Sequence, residues 1–318
     1  MQWVDRIGRR LKLRDVHILL AVVNTGSMVS AGKQLSISQP VVSKAIADLE
    51  HALGVRLLER GRHGVEVTPY GRALLSSGLA AFDELRRGVQ EIEFLSDPNS
   101  GEIRIGATEP MVMGLLPAAI DDLGHRHNRL GIDVVQANST TALHQELRER
   151  TVDLVIGRIP VAPLGKDMGV EILFDDPSLV VAATHSDWAK RRRINLAELA
   201  DARWILPRIG TPASDLIANW FQLHGLNLRR AAVVCDSIQL QTALIATGRF
   251  VSILPLSLLQ FSAKRLALKA LNVRESPPRG PVGIVTLRNR VPAPVTRLFL
   301  DAIRNAAKPL IANRSRPR

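Results

Sequence analysis

A single cysteine, Cys235, occurs in the 318 residues. The chain can therefore form no internal disulfide, CxxC redox pair or thiolate zinc site, and a reducing compartment suits it best. No stretch approaches the roughly 20 apolar residues that span a bilayer. Arg9, Arg10, Lys12 and Arg14 ahead of Ile18–Val23 loosely imitate a signal peptide. Asp15 and His17 interrupt that pattern, and its leucines and valines recur at helical spacing, so residence in the cytoplasm is expected rather than export. Enzyme fingerprints are missing too: there is no GxGxxG, no glycine-rich segment with the Walker Lys-Ser/Thr, and no GxSxG. No catalytic residue is assigned. His125 and His127 form an isolated HxH that reads as a solvated helix end, so no metal and no cofactor is expected.

What remains is a folded chain too long for one small core. Its composition is that of an average globular protein, at 46% hydrophobic and 23% charged residues, and its length favours two domains. The 42 Lys and Arg against 30 Asp and Glu leave a net charge of +12, which favours an anionic partner such as nucleic acid. Residues 1–70 carry +4, 71–100 carry −2 and 101–318 carry +10. The excess is spread along the chain, so charge does not locate the partner's site. The breaker-rich Ser96-Asp-Pro-Asn-Ser-Gly101 separates a helix-patterned third from a segment alternating strand and helix patterns. The basic runs Lys190–Arg193 and Arg314–Arg318 read as a solvated face and a tail. Cys235, inside an apolar strand pattern, reads as a core residue.

In the first third, Leu13, Val16, Leu20 and Val23 form one helical stripe that ends near Asn24-Thr-Gly26. Ser27 is a good cap for a short second helix carrying Met28, Ala31 and Leu35 on one face. Ser36-Ile-Ser38 makes a tight turn into a third helix, in which Pro40 is harmless in the first turn. Turning 100° per residue puts Val42, Ala45, Ile46, Leu49 and Leu53 on one side. Pro40, Ser43, Lys44 and Ala47 fall on the other, with Gln39 leading. A small polar face of this kind suits a DNA major groove and equally suits an ordinary solvated surface. Leu57–Glu59 and Val65–Val67 can pair around Arg60-Gly-Arg-His-Gly64, a turn placing Arg60, Arg62 and His63 where a wing meets phosphates.

Thr68 can cap, and Pro69 begin, a helix running to about Leu95. Leu75, Phe82 and Val89 lie seven apart, with Gly78, Leu85 and Ile92 three residues on, a short heptad pattern with a defect at Gly78. Such a helix pairs with a second copy or packs on its own domain. Beyond it, Glu102–Ala107, Ile132–Gln136 and Asp153–Gly157 are strand-like, with helices at about 111–126 and 140–150 between them. That is a βαβαβ unit with a parallel sheet. Leu179–Ala183, Trp204–Leu206, Ala231–Cys235 and Val251–Leu254 form a second set, with helices near 212–224 and 237–247. Ligands collect at the carboxyl ends of such strands. Thr108-Glu109-Pro110, Ser139-Thr140-Thr141, Thr211-Pro212 and Ser237 stand at those junctions, where hydroxyls also serve as plain helix caps. Arg158 and Arg208 could hold a carboxylate. Glu109 and Asp236 would oppose one and accept hydrogen bonds from sugar hydroxyls.

The run Gly26-Ser27, Ala31, Leu35, Ser38-Gln-Pro40, Val42-Ser-Lys44, Ile46, Leu49-Glu50, Gly54, Leu57-Leu58, Arg60 and Thr68-Pro-Tyr-Gly71 resembles the winged helix-turn-helix of the LysR-type transcriptional regulators. Met28, Gly32, Lys44 and Leu58 depart from the usual pattern. The stretch from Leu13 to Leu95 is similar to a subgroup related to the galactose-binding-protein regulator. The resemblance implies an α+β and α/β multidomain protein. It would comprise a winged helix-turn-helix (1–68), a dimerising linker helix (69–97) and a two-lobed α/β effector domain (98–318) resembling periplasmic binding proteins. Lobe one would be about 101–170 and 278–311, and lobe two about 171–277. Ser27, Ser38, Gln39, Pro40, Ser43, Lys44, Arg60, Arg62 and His63 would meet DNA. Thr108, Glu109, Ser139, Thr140, Thr141, Arg158, Arg208, Thr211, Asp236 and Ser237 would line the effector cleft. Implied partners are an inverted-repeat operator, a small sugar or organic acid, a second copy through the linker helix, a tetramer built from such dimers, and RNA polymerase. The alternative is a solute-binding protein whose N-terminal helices are structural.

Overall fold

The computed structural model describes residues 11–61, 64–160, 162–226, 231–276 and 278–312. The chain separates into two compact units that meet between Gly88 and Val89.

In the first unit, α1 (Leu13–Thr25) stops at Gly26, whose N–H bonds the Val23 carbonyl in a left-handed cap. The helix α2 (Met28–Gln34) begins where the Ser27 hydroxyl accepts from Ser30 N, and α3 (Gln39–Leu53) follows after a tight turn. Val16, Leu19, Val22, Ala31, Val42, Ile46 and Leu49 close one core between them. The strands β1 (Leu58–Gly61) and β2 (Gly64–Val67) pair antiparallel, with Leu58 opposite Val67 and Arg60 opposite Val65. The ladder therefore runs further into the expected turn than the sequence pattern suggests. Arg62 and His63 lie outside the described residues.

The long helix α4 (Pro69–Ser96) starts where the Thr68 hydroxyl accepts from Gly71 N at 3.0 Å and donates to the Arg56 carbonyl at 2.8 Å. A side chain at Gly71 would collide with the backbone carbonyl of Leu57. Gly71→Ala is accordingly expected to destabilise the first unit by about 1–3 kcal/mol, because the obstacle is backbone that cannot rotate away. Thermal unfolding of the full chain, with the transition of this unit assigned by hydrogen exchange, checks it. A stabilised variant, gaining only helix propensity, would contradict the packing. Gly78, the defect in the heptad, sits where a Cβ would lie 2.6 Å from Val16 Cγ1, so glycine lets α1 approach.

The second unit opens with β3 (Ser100–Thr108), α5 (Glu109–Met113), α6 (Leu115–Arg126), β4 (Arg129–Ala137), α7 (Thr140–Arg148) and β5 (Leu154–Arg158). β3 is parallel to both β4 and β5, as a βαβαβ unit requires. Next come β6 (Met168–Ala183), α8 (Asp187–Lys190), a 3-10 turn (Leu196–Leu199), β7 (Trp204–Leu206), α9 (Pro212–Leu223) and β8 (Val233–Val234). The chain continues through α10 (Ile238–Ile245), β9 (Val251–Pro255), α11 (Leu256–Ser262), β10 (Leu268–Ala270), β11 (Arg279–Leu287) and α12 (Pro294–Ala312). The strand order is β4-β3-β5-β11-β6-β9-β7-β8, with β10 against β6.

Two parallel halves, β4-β3-β5 and β9-β7-β8, are thus joined by the antiparallel strands β11 and β6. β6 pairs with β11 through Pro177 and then with β9 from Ser178, so it passes from one α/β half into the other. One half is packed by Ile103, Ile105, Leu115, Leu123, Phe299 and Ile303, the other by Trp204, Trp220 and Phe221. Both indoles find partners: Trp204 Nε1 donates to the Leu199 carbonyl and Trp220 Nε1 to that of Ser276.

Several sequence expectations need correcting here. The helix expected over 111–126 is two helices broken at Gly114. Leu179–Ala183 is only the end of the 16-residue β6. The strand expected at 231–235 shrinks to Val233–Val234, and Cys235 beyond it is half-buried, packed against the edge of a core formed by Val181, Ile205 and Leu254 among others. Lys190–Arg193 is indeed an exposed face, where Arg191 stacks on Trp188.

Candidate nucleic-acid interface and ligand cleft

The face assigned to α3 by its periodicity is present. Val42, Ala45, Ile46 and Leu49 are buried, whereas Ser38, Gln39, Pro40, Ser43, Lys44 and Ala47 are exposed. Ser38 occupies the N-cap in an extended conformation, but its hydroxyl makes no capping bond. Ser27 is half-buried and its hydroxyl serves α2 as a cap. The hairpin is moored to the helices by a residue to which the sequence reading gave no role: Glu50 on α3 accepts from Leu57 N at 2.8 Å and Leu58 N at 3.2 Å. The Leu49-Glu50 pair within the family motif was the available signal. On the other side, Val65 N donates to the Gly26 carbonyl. Arg60 lies in β1, on a hairpin whose backbone is tied to Glu50 and to Gly26.

The apolar stripe of α4 divides. Leu75 and Gly78 are buried, and Phe82 meets the His17 ring at 5.7 Å, so the first half of the helix packs on its own unit. Leu85, Val89, Ile92 and Leu95 are 55, 54, 66 and 78% exposed. The packing reading thus holds for the first half of the helix, and the apolar side chains of the second half are left exposed.

In the second unit the expected ligand residues gather where strands end. Thr108 closes β3, Ser139–Thr141 follow β4, and Gly157-Arg158 close β5. A Cβ on Gly157 would stand 3.1 Å from the γ-methyls of both Thr108 and Thr140, so these two side chains converge over β5. Ser139, Thr211 and Ser237 each cap the helix that follows, whereas Thr108 does not. On the opposite half, Asp236 accepts from Arg208 N at 2.9 Å and faces its guanidinium Nε at 3.4 Å.

Two assignments change. Glu109, expected to meet a ligand's hydroxyls, is only 7% exposed and is occupied by the protein itself. Its carboxylate accepts from Ile238 N and Gln239 N, both at 2.9 Å, and faces the Ser237 hydroxyl at 3.5 Å. Arg158, expected to hold a carboxylate, instead turns toward β6, where Nη2 donates to the Asp176 carbonyl at 3.2 Å and to Ser178 Oγ at 3.4 Å. Burial lowers the pKa of its guanidinium, against the pull of Asp176 and Asp175. Asp176 accepts from Ser257 N at 3.0 Å and Ser257 Oγ at 2.7 Å, and its burial pushes the carboxyl above the ordinary carboxylate range despite those bonds. An open depression of about 500 Å³ lies elsewhere, lined by Ile159, Pro160, Leu164, Met168, Lys166 and Arg288 among others, and none of the expected ligand residues borders it.

Comparison with known proteins gives two profile matches. Residues 13–72 match the bacterial regulatory helix-turn-helix protein of the lysR family, and residues 96–308 match the LysR substrate binding domain. The HTH-type transcriptional regulator GbpR of Azospirillum brasilense is 27% identical over 299 residues, covering 94% of this chain and 87% of that one. The regulator BenM of Acinetobacter baylyi is 30% identical over 253 residues, 78% of this chain and 81% of its own. Among solved structures, full-length CbnR complexed with its target DNA has a TM-score of 0.62 at 19% identity, covering 93% of this chain and 100% of that one. A full-length OxyR from Pseudomonas aeruginosa reaches 0.65 at 20% identity, covering 94% and 95%.

Proposed function

The chain belongs to the LysR family, DNA-binding transcriptional regulators with a C-terminal effector-binding domain, and from that premise we propose how its parts divide the work. Residues 1–68 read a duplex, 69–97 pair two copies, and 98–318 sense a small molecule between the two α/β halves. The exposed polar face of α3 above a buried apolar one carries the DNA reading. Gln39 and Ser43 hydrogen-bond base edges, Lys44 reaches guanine or phosphate, and Pro40 lets the helix approach closely. Ser27 and Ser38 meet the nearby backbone, with Arg60, Arg62 and His63 on phosphates. The protein acts in the cytoplasm, where its DNA is.

Two heads on a paired helix read two half-sites, so the operator is an inverted repeat. The exposed half of α4 supports that pairing, since four large apolar side chains would otherwise face water. Leu85→Asp/Ile92→Asp is expected to convert the assembled protein to monomers by sedimentation velocity. It should also lower operator affinity at least tenfold, while leaving the first unit folded. An unchanged oligomer would remove α4 from the interface. Further pairing into a tetramer and contact with RNA polymerase extend the same assembly.

The effector is a small polar metabolite, a sugar or an organic acid, held between Thr108, Thr140 and Thr141 on one half and Arg208 and Thr211 on the other. It acts by binding one arrangement of the halves more tightly than another. Fluorescence anisotropy of the full chain on fragments flanking its own gene tests the whole reading. A specific fragment is expected to bind at least 10³-fold more tightly than scrambled DNA at the same salt. A chain that binds all duplexes alike, and no more tightly than heparin, would refute it.

A further inference from the structure

The most consequential unassigned contact in the second unit joins its two halves. The N-terminus of α10 offers free amide hydrogens and the positive end of a helix dipole, a natural seat for an anion. That seat is taken. Glu109, at the start of α5 in the opposite half, reaches across 129 residues of sequence to Ile238 N and lies equally close to Gln239 N. Ser237, the cap of α10, faces the same carboxylate. The other end of α5 is held too, since Ser262 Oγ donates to the Met113 carbonyl at 2.7 Å. The second acidic group of this wall, Asp236, is engaged by Arg208. Among the described residues, the hydroxyls of Thr108, Thr140 and Thr141 donate and accept no hydrogen bond.

We infer that Glu109 sets the charge selectivity of the cleft, by filling the α10 N-terminus with the chain's own carboxylate so that no anionic group of a ligand can dock there. The inference rests on the reading of this cleft as the effector site and narrows it. At the α10 end the effector presents an uncharged group, and any carboxylate it carries must lie toward Arg208. Glu109 is a positioning residue as well, since its bonds also tie α5 to the far half. A carboxylate donated two amide hydrogens is a charge-assisted pair, stronger than its neutral counterpart.

The test uses the full chain and acetate, which matches the CH2–COO⁻ fragment that Glu109→Ala deletes. Glu109→Ala is expected to melt below the parent. At constant ionic strength maintained with chloride, acetate should raise its Tm by about 3–5 °C at tenfold its Kd, with a logarithmic dependence on acetate concentration above that Kd. The parent should not respond. Equal responses of parent and variant would overturn the assignment. Should Glu109→Ala fail to fold, Glu109→Gln keeps the shape and loses the charge. Amide exchange at Ile238 and Gln239 is then expected to be at least tenfold faster than in the parent, and unchanged rates would overturn the assignment equally. If acetate rescues Glu109→Ala while no metabolite shifts operator binding, the effector reading of the cleft falls, and what stands is that Glu109 fills an anion seat at the α10 N-terminus.

Discussion

The Gln39→Ala/Lys44→Ala variant is expected to lose operator binding by roughly two to four orders of magnitude while retaining its fold. Each well-placed side chain on a base edge is worth about 1–3 kcal/mol of discrimination, and on the proposed division of roles the two side chains meet different groups of the duplex, so their losses are expected to add. Both side chains stand on the exposed face of α3, clear of the core formed by Val42, Ile46 and Leu49. Their truncation therefore leaves the packing within the unit intact. Anisotropy titration on operator and scrambled duplexes separates the effects: the operator curve should collapse toward the scrambled one. The salt slope should fall by about one, for Lys44 alone, if that side chain contacts phosphate. Equal losses on both duplexes would instead make α3 a nonspecific clamp and move sequence reading elsewhere.

Asp176→Ala is expected to destabilise the second unit by about 2–4 kcal/mol, because it removes the buried acceptor of two hydrogen bonds. Asp176 is 1% exposed on β6, the strand that passes between the halves. Its carboxylate satisfies the Ser257 amide and hydroxyl at the start of α11. It is also a nearby countercharge for Arg158, whose Nη1 is buried without a partner among the described residues. Alanine strands two donors and leaves the guanidinium short of compensation. Asp176→Asn keeps an acceptor for Ser257 and should cost markedly less. Urea unfolding of the full chain, followed by tryptophan fluorescence from the second unit, measures both. A loss under 1 kcal/mol for the alanine variant would show that the network does not hold the junction.

The first unit was largely legible because its structure is local. The stop of α1 at Gly26, the Ser27 cap, the Pro40 start and the Thr68 cap each act within a few residues, and each reappears as an element boundary; of the stripe Leu13, Val16, Leu20 and Val23 only Val16 is buried, the face being filled out by Ile18, Leu19, Ala21 and Val22. The second unit was legible where strands and helices alternate at close range, from β3 to β5. It became opaque where the chain returns from afar. The residues of β11 pair with β5 across more than 120 positions, and no short-range pattern marks such a partner.

Composition and periodicity thus determined that this protein has a compact helical head, a long helix and an α/β remainder, and which face of α3 meets water. Those features follow from side-chain spacing along one element, where burial repeats every 3.6 or 2 residues. Only the tertiary structure decided that half of α4 is consumed by its own head, that Arg158 turns to β6, and that Glu109 seats on α10. A charged side chain takes whichever partner lies within about 3 Å. For Glu109 that partner is set by chain closure across 129 residues, which periodicity does not encode.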